Sequence, residues 1–188
     1  KAAKRGGANA AAALYDEGNR LWALGRLADA EAAYRQAIAA RPEFPEALSN
    51  LGSVLQSTGR LGEAEAVFRQ ALALMPGNPL ILTNLGVVSE GGGRRDEAIA
   101  CFRQAIAAEA GHLPAYRNLV AVQAESGDRA GAIVTLQQLL SIQPGDALAQ
   151  ANLGKLLRLE GEFDSAHAAL GRALDLDPGL ARAPQRNG

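Results

Sequence analysis

Four asparagines, Asn50, Asn84, Asn118 and Asn152, recur at one fixed interval, and Asp16 holds the same place one interval earlier. A primary amide carries donors and an acceptor in one plane, which matches the N–H and C=O of a peptide unit. Such a ladder suits recognition of a backbone rather than bond making. Residues suited to covalent or metal chemistry are scattered. His112 and His167 have no partner at metal-ligand or triad spacing. Cys101, the single cysteine, shares its place with Ala33, Val67, Thr135 and Ala169, which points to a packed thiol. The run Gly91-Gly92-Gly93-Arg94-Arg95 lacks the Gly-Lys-Ser/Thr ending of a phosphate-binding loop. No catalytic residue, metal or cofactor is expected.

The interval that spaces the asparagines is written through the whole chain. Gly25, Gly59, Gly93, Gly127 and Gly161 form an unbroken column, as do Ala30, Ala64, Ala98, Ala132 and Ala166. Gly18, Gly52, Gly86 and Gly154 form another, interrupted by Val120, and Pro42, Pro76, Pro144 and Pro178 a fourth, interrupted by Ala110. Apolar residues fall at helical spacing on both sides of the turn glycine, as in Leu48, Leu51, Leu55 and then Leu61, Ala64, Phe68. Each unit therefore reads as helix, tight turn, helix, with glycine capping the first helix and proline stopping the second. Small Gly18 and Ala30 columns allow the two helices to approach, with Tyr34, Phe68 and Phe102 filling the space beside them.

The chain has 188 residues, with 19 Lys and Arg against 20 Asp and Glu. A near-neutral balance argues against a nucleic-acid-binding arm. No apolar run approaches the roughly 18 to 20 residues of a membrane helix, so a soluble, cytoplasmic protein is expected.

The pattern Leu48-x-x-Leu51-Gly52-x-x-Leu55, then Ala64-x-x-x-Phe68 and Pro76, resembles the tetratricopeptide repeat. Units are placed at 11–44, 45–78, 79–112, 113–146 and 147–180, with a flexible tail at 1–10 and a tail at 181–188 too short for a full capping helix. The resemblance implies an all-α, right-handed superhelical solenoid of antiparallel helix pairs whose first helices line a concave groove. It also implies a protein or peptide partner held there. With first helices about 10 Å apart and an extended ligand rising about 3.3 Å per residue, one Asn would meet every third or fourth ligand residue. The ladder is similar to that in the superhelical arm of O-linked N-acetylglucosamine transferases. An exposed Asn can equally be solvated or bond within its own repeat.

Asn19, Ser49, Ser53, Ser57 and Thr83 are further groove candidates. Asp16 and Glu46 mark the N-terminal end, and Arg117, Lys155 and Arg158 the C-terminal end, so a partner charged in the opposite sense is favoured. A chaperone-type carboxylate clamp is not expected, because Tyr15 and Leu80 stand where its lysines belong. The columns Arg35, Arg69, Arg103 and Gln36, Gln70, Gln104, Gln138 read as a solvated outer face. Gly91 and Gly92 suggest a softer third repeat.

Without a cap, Leu170, Leu174 and Leu176 should be partly uncovered and available to a second copy. Three readings follow: a non-catalytic adaptor, the substrate-recognition arm of a larger enzyme such as a glycosyltransferase, or a self-assembling scaffold. A start at Lys1 and the missing cap favour a piece of a longer chain.

Overall fold

The computed structural model describes the backbone from residue 2 to 182 and side chains from 9 to 181. The described residues form ten α-helices and one short 3-10 helix: α1 (Ala2–Ala23), α2 (Leu27–Ala40), α3 (Pro45–Ser57), α4 (Leu61–Leu74), α5 (Pro79–Gly91), α6 (Arg95–Ala108), α7 (Leu113–Glu125), α8 (Arg129–Ile142), α9 (Ala147–Leu159), α10 (Phe163–Leu176) and the 3-10 turn Pro178–Arg182. Of the tail placed at 1–10, residues 2–10 form the start of α1. The C-terminal tail lies outside the described residues from 183 onward. No described helix is long and apolar enough to cross a membrane.

The turn glycines do what their column requires. Gly25, Gly59, Gly93, Gly127 and Gly161 have φ of 71°, 76°, 77°, 81° and 83°, the left-handed region that a side chain disfavours. Reversal there closes two bonds onto the preceding helix: Gly59 N donates to Gln56 O at 3.0 Å and Arg60 N to Leu55 O at 2.9 Å, a Schellman cap. Prolines sit at the first turns of α3, α5 and α7, where a missing N–H costs nothing. Asn78, Asp128 and Asp146 cap α5, α8 and α9 with their side chains.

Two compact units result, residues 1–109 with α1 to α6 and residues 110–188 with α7 onward. In the first, the rings of Tyr34, Phe68 and Phe102 are fully buried, each lying against a glycine of the facing helix. A Cβ at Gly18, Gly52 or Gly86 would stand 2.5, 2.6 or 2.5 Å from a ring carbon. The second unit uses other pairs. Val120 and Leu136 occupy those two columns in its first hairpin, and Gly154 receives Leu170 in its second.

Outer helices of the first unit are laced by charge. Arg60 bonds Glu31 at 2.8 Å and Glu63 at 2.7 Å, while Arg35 bonds the same two carboxylates at 2.9 and 3.5 Å. One repeat on, Arg69 and Arg94 each bond both Glu65 and Glu97. Arg35 and Arg69 lie on the solvated outer face, and each guanidinium also reaches a carboxylate of the next hairpin. Such pairs are individually weak, and their geometry fixes how neighbouring hairpins meet.

Candidate functional site

In the first unit, the amide column starts from packing. Bare Gly18 lets the Tyr34 ring lie against α1, and this places its hydroxyl 2.8 Å from Asn19 Oδ1, to which it donates. Asn50 of α3 donates to the same oxygen at 2.8 Å and to Tyr15 Oη at 3.3 Å. Tyr15 in turn packs on Phe44, with ring centroids 5.0 Å apart. Burial pushes the Tyr34 hydroxyl above its usual pKa. Asn19 and Asn50 thus join two consecutive repeats, and the amide donor of Asn50 is spent on that joint.

One repeat later the contact is looser. Asn84 Nδ2 reaches Ser53 Oγ only at 3.5 Å, and Ser53 itself donates to the Ser49 carbonyl at 3.1 Å. Ser53 stands in the column of Asn19, so hydroxyl replaces amide. Ser49 and Thr83 are buried, and Thr83 donates to the Pro79 carbonyl at 2.7 Å, the back-bond of a helical threonine. Neither is a groove side chain.

The second unit differs again. In Asn19's column it carries Ala121, which offers no acceptor to Asn152. Asn152, half-buried on α9, instead lines a cavity of about 220 Å³ between α7, α8 and α9. Val120, Leu136, Leu139 and Leu148 form its apolar wall. Val120 and Leu136 take the columns that hold glycine and an aromatic ring in the first unit. At the rim, Arg117 Nη2 donates to Asp146 Oδ2 at 2.8 Å and to Gln143 Oε1 at 3.3 Å. Asp146 Oδ1 also accepts from Ala149 N at 2.9 Å, capping α9. Burial would raise this carboxyl, but the Arg117 and Ala149 bonds outweigh it and hold the pKa below its ordinary value. Asn118, also half-buried, neighbours Arg117 on α7.

Lys155 and Arg158 are exposed on α9, one and two turns beyond Asn152. A cavity with apolar walls, one amide and a fixed ion pair at its rim suits an aliphatic side chain whose backbone needs a polar grip. Sequence reading missed it, although the Val120 and Leu136 departures from their columns were visible signs.

At the C-terminal end, Leu170 is half-buried, its Cγ 2.6 Å from where a Gly154 Cβ would stand, while Leu174 and Leu176 are 42% and 47% exposed. Cys101 is buried, and its burial pushes the thiol's pKa up. Among the described residues, no three His, Cys, Asp or Glu side chains could together hold a metal ion.

Family models for the tetratricopeptide repeat match residues 15–79 and, with a second model, 55–122 and 123–184. No match is found among curated proteins. Among solved structures, the MamA protein is 23% identical, with 95% of this chain and 98% of that one covered and a TM-score of 0.79. A structure titled for functional characterisation of Pseudomonas aeruginosa pilF gives 22%, 97%, 80% and 0.79 on the same measures. YrrB, described as a TPR protein with an unusual peptide-binding site, gives 22%, 88%, 85% and 0.71.

Proposed function

The chain belongs to the tetratricopeptide repeat family, a fold that serves protein–protein interaction, and on that premise we propose a non-catalytic scaffold that holds an extended peptide against its first helices. The observation that carries this reading is the cavity beside Asn152, bounded by Arg117 and Asp146. An aliphatic side chain of the ligand enters it, and Asn152 bonds the ligand backbone one residue away. Lys155 and Arg158 favour acidic residues in the segment that follows. Asn118 extends the grip within the second unit, whereas Asn50 and Asn19 hold repeats of the first together.

Peptides selected from a random displayed library provide the test. Substituting Arg117 and Asn152 together by Ala should weaken the selected peptides roughly tenfold or more, the scale of a binding hot spot. Asn118→Ala alone should weaken them less. Unchanged affinity in both variants rejects the reading.

Exposed Leu174 and Leu176 support a second contact, between copies of this chain through the end of α10. Sedimentation at high micromolar concentration tests it, and a strict monomer rules it out.

A further inference from the structure

A second cleft opens on the other side of the second unit, between α8 and α10 with α9 as its floor. It encloses about 540 Å³, and Gln137, Leu153, Leu157, Glu162, Ser165 and Arg172 are among its lining residues. The first unit has the corresponding cleft two helix pairs earlier in the chain, between α4 and α6. There Arg69, Leu72, Leu82, Leu85 and Gln104 line about 450 Å³, each one column-mate of a position in or beside the later cleft.

The two clefts differ at one end. In the earlier one, Arg69, Arg94, Glu65 and Glu97 close a ring of ion pairs across that end. In those four columns the second unit carries Gln137, Glu162, Ile133 and Ser165, which cannot form the ring. The cleft therefore runs on to Glu162 and Ser165. Glu162 occupies the N-cap position of α10 without making a capping hydrogen bond.

The floor also changes. Where the earlier cleft has Leu82 and Gln104, the later has Gln150 and Arg172. Gln150 is only 6% exposed, and its Oε1 accepts from Arg172 Nε at 3.3 Å. That bond uses one of five guanidinium donors. Ten residues of α10 separate Glu162 from Arg172, about 15 Å at the rise of an α-helix. An extended segment covers that span in four or five residues.

We propose that this cleft is a second docking site, separate from the first-helix face, for an extended partner segment carrying a basic side chain at one end and an acidic side chain four or five residues away. The basic group pairs with Glu162, the acidic group with Arg172, and the intervening side chains lie on Leu153 and Leu157. Opposite charges at the two ends favour a mixed-charge segment over a polyanion, which Glu162 repels. The proposal does not depend on peptide binding beside Asn152.

Nitrogen-15-labelled protein titrated with five- and six-residue peptides tests it. The peptides carry lysine at one end, glutamate at the other and alanine and leucine between, in both chain directions. Saturable shifts at Gln137, Gln150, Glu162 and Arg172 are expected with the mixed-charge peptides. Peptides with glutamine at both ends should bind roughly tenfold more weakly, as lost end pairing requires. Rebuilding the ring with I133E, Q137R, E162R and S165E together should abolish the shifts. Should that variant fail to fold, E162Q alone should remove the preference for a basic end. Asn152→Ala should leave every one of these shifts unchanged. Equal binding of the neutral peptides, shifts confined to residues around Asn152, or no saturable binding would each overturn the proposal.

Discussion

Gly52 lies against the ring of Phe68 so closely that a methyl group on the glycine would stand 2.6 Å from Cε1. The ring is fully buried, so it cannot swing out to make room. Gly52→Ala should therefore destabilise the protein by about 1–3 kcal/mol, the usual range for overpacking, measured as a shift of the urea midpoint. The chain already contains the remedy, because Val120 and Leu136 occupy the same two columns. Gly52→Val combined with Phe68→Leu should be less destabilising than the sum of its parts. Simple additivity would show that the two positions do not compete for one space.

Asn50 and Asn152 share a column and should answer oppositely to alanine. Asn50 donates to Asn19 and Tyr15, so its loss removes two part-buried hydrogen bonds, leaves Asn19 Oδ1 with Tyr34 alone, and should cost about 1–2 kcal/mol of stability. Asn152 should cost under about 0.5 kcal/mol, as at sites without a special role, yet weaken a library-selected peptide. Thermal melts and titration calorimetry on both variants separate these outcomes. Equal loss of stability in the two would remove the distinction.

The difference between these two asparagines marks how far the sequence could be read. Repeat period, hairpin order and the left-handed turn at Gly25, Gly59, Gly93, Gly127 and Gly161 were all legible, since each is fixed within one repeat. Pairings between repeats were not. Asn50 bonds a residue 31 positions earlier, and Arg60 bonds Glu31 across 29. Helical periodicity within one repeat carries no signal for such contacts. Arg35 and Arg69 do lie on the solvated outer face, but periodicity within one helix does not say which carboxylate each meets. Their carboxylate partners lie partly on the next hairpin. The cavity beside Asn152 escaped for a related reason, since Val120, Leu136 and Leu148 come from three helices.

The charge rings predict how stability follows pH. Burial raises the Glu31 carboxyl, but Arg35 and Arg60 outweigh it and hold the pKa below its ordinary 4.5. Arg60 likewise lowers Glu63, and Arg94 lowers Glu97. A carboxyl with a depressed folded-state pKa binds its proton less readily when folded. Its stabilisation is thus complete above the unfolded value and is lost as pH falls through the folded one. Melting temperature should be flat above about pH 5 and should fall progressively below the ordinary carboxyl range. Added salt of about 1 M should flatten the fall, since these pairs are largely solvent-facing. Glu31→Gln should lower the melting temperature at neutral pH and reduce its slope in acid. An unchanged acid slope would mean that the rings are not held in solution.

Asp146 serves two partners, and two substitutions separate them. It caps α9 through Ala149 N and anchors Arg117 through its other oxygen. Asparagine keeps a capping acceptor and removes the charge, whereas alanine removes both. Asp146→Ala should cost about 1 kcal/mol, typical of a lost cap, and Asp146→Asn only a few tenths. Peptide affinity should respond differently. Both substitutions release Arg117 from its anchor and should weaken a selected peptide to a similar degree. If only the alanine variant binds more weakly, α9's end matters to the ligand and Arg117's orientation does not.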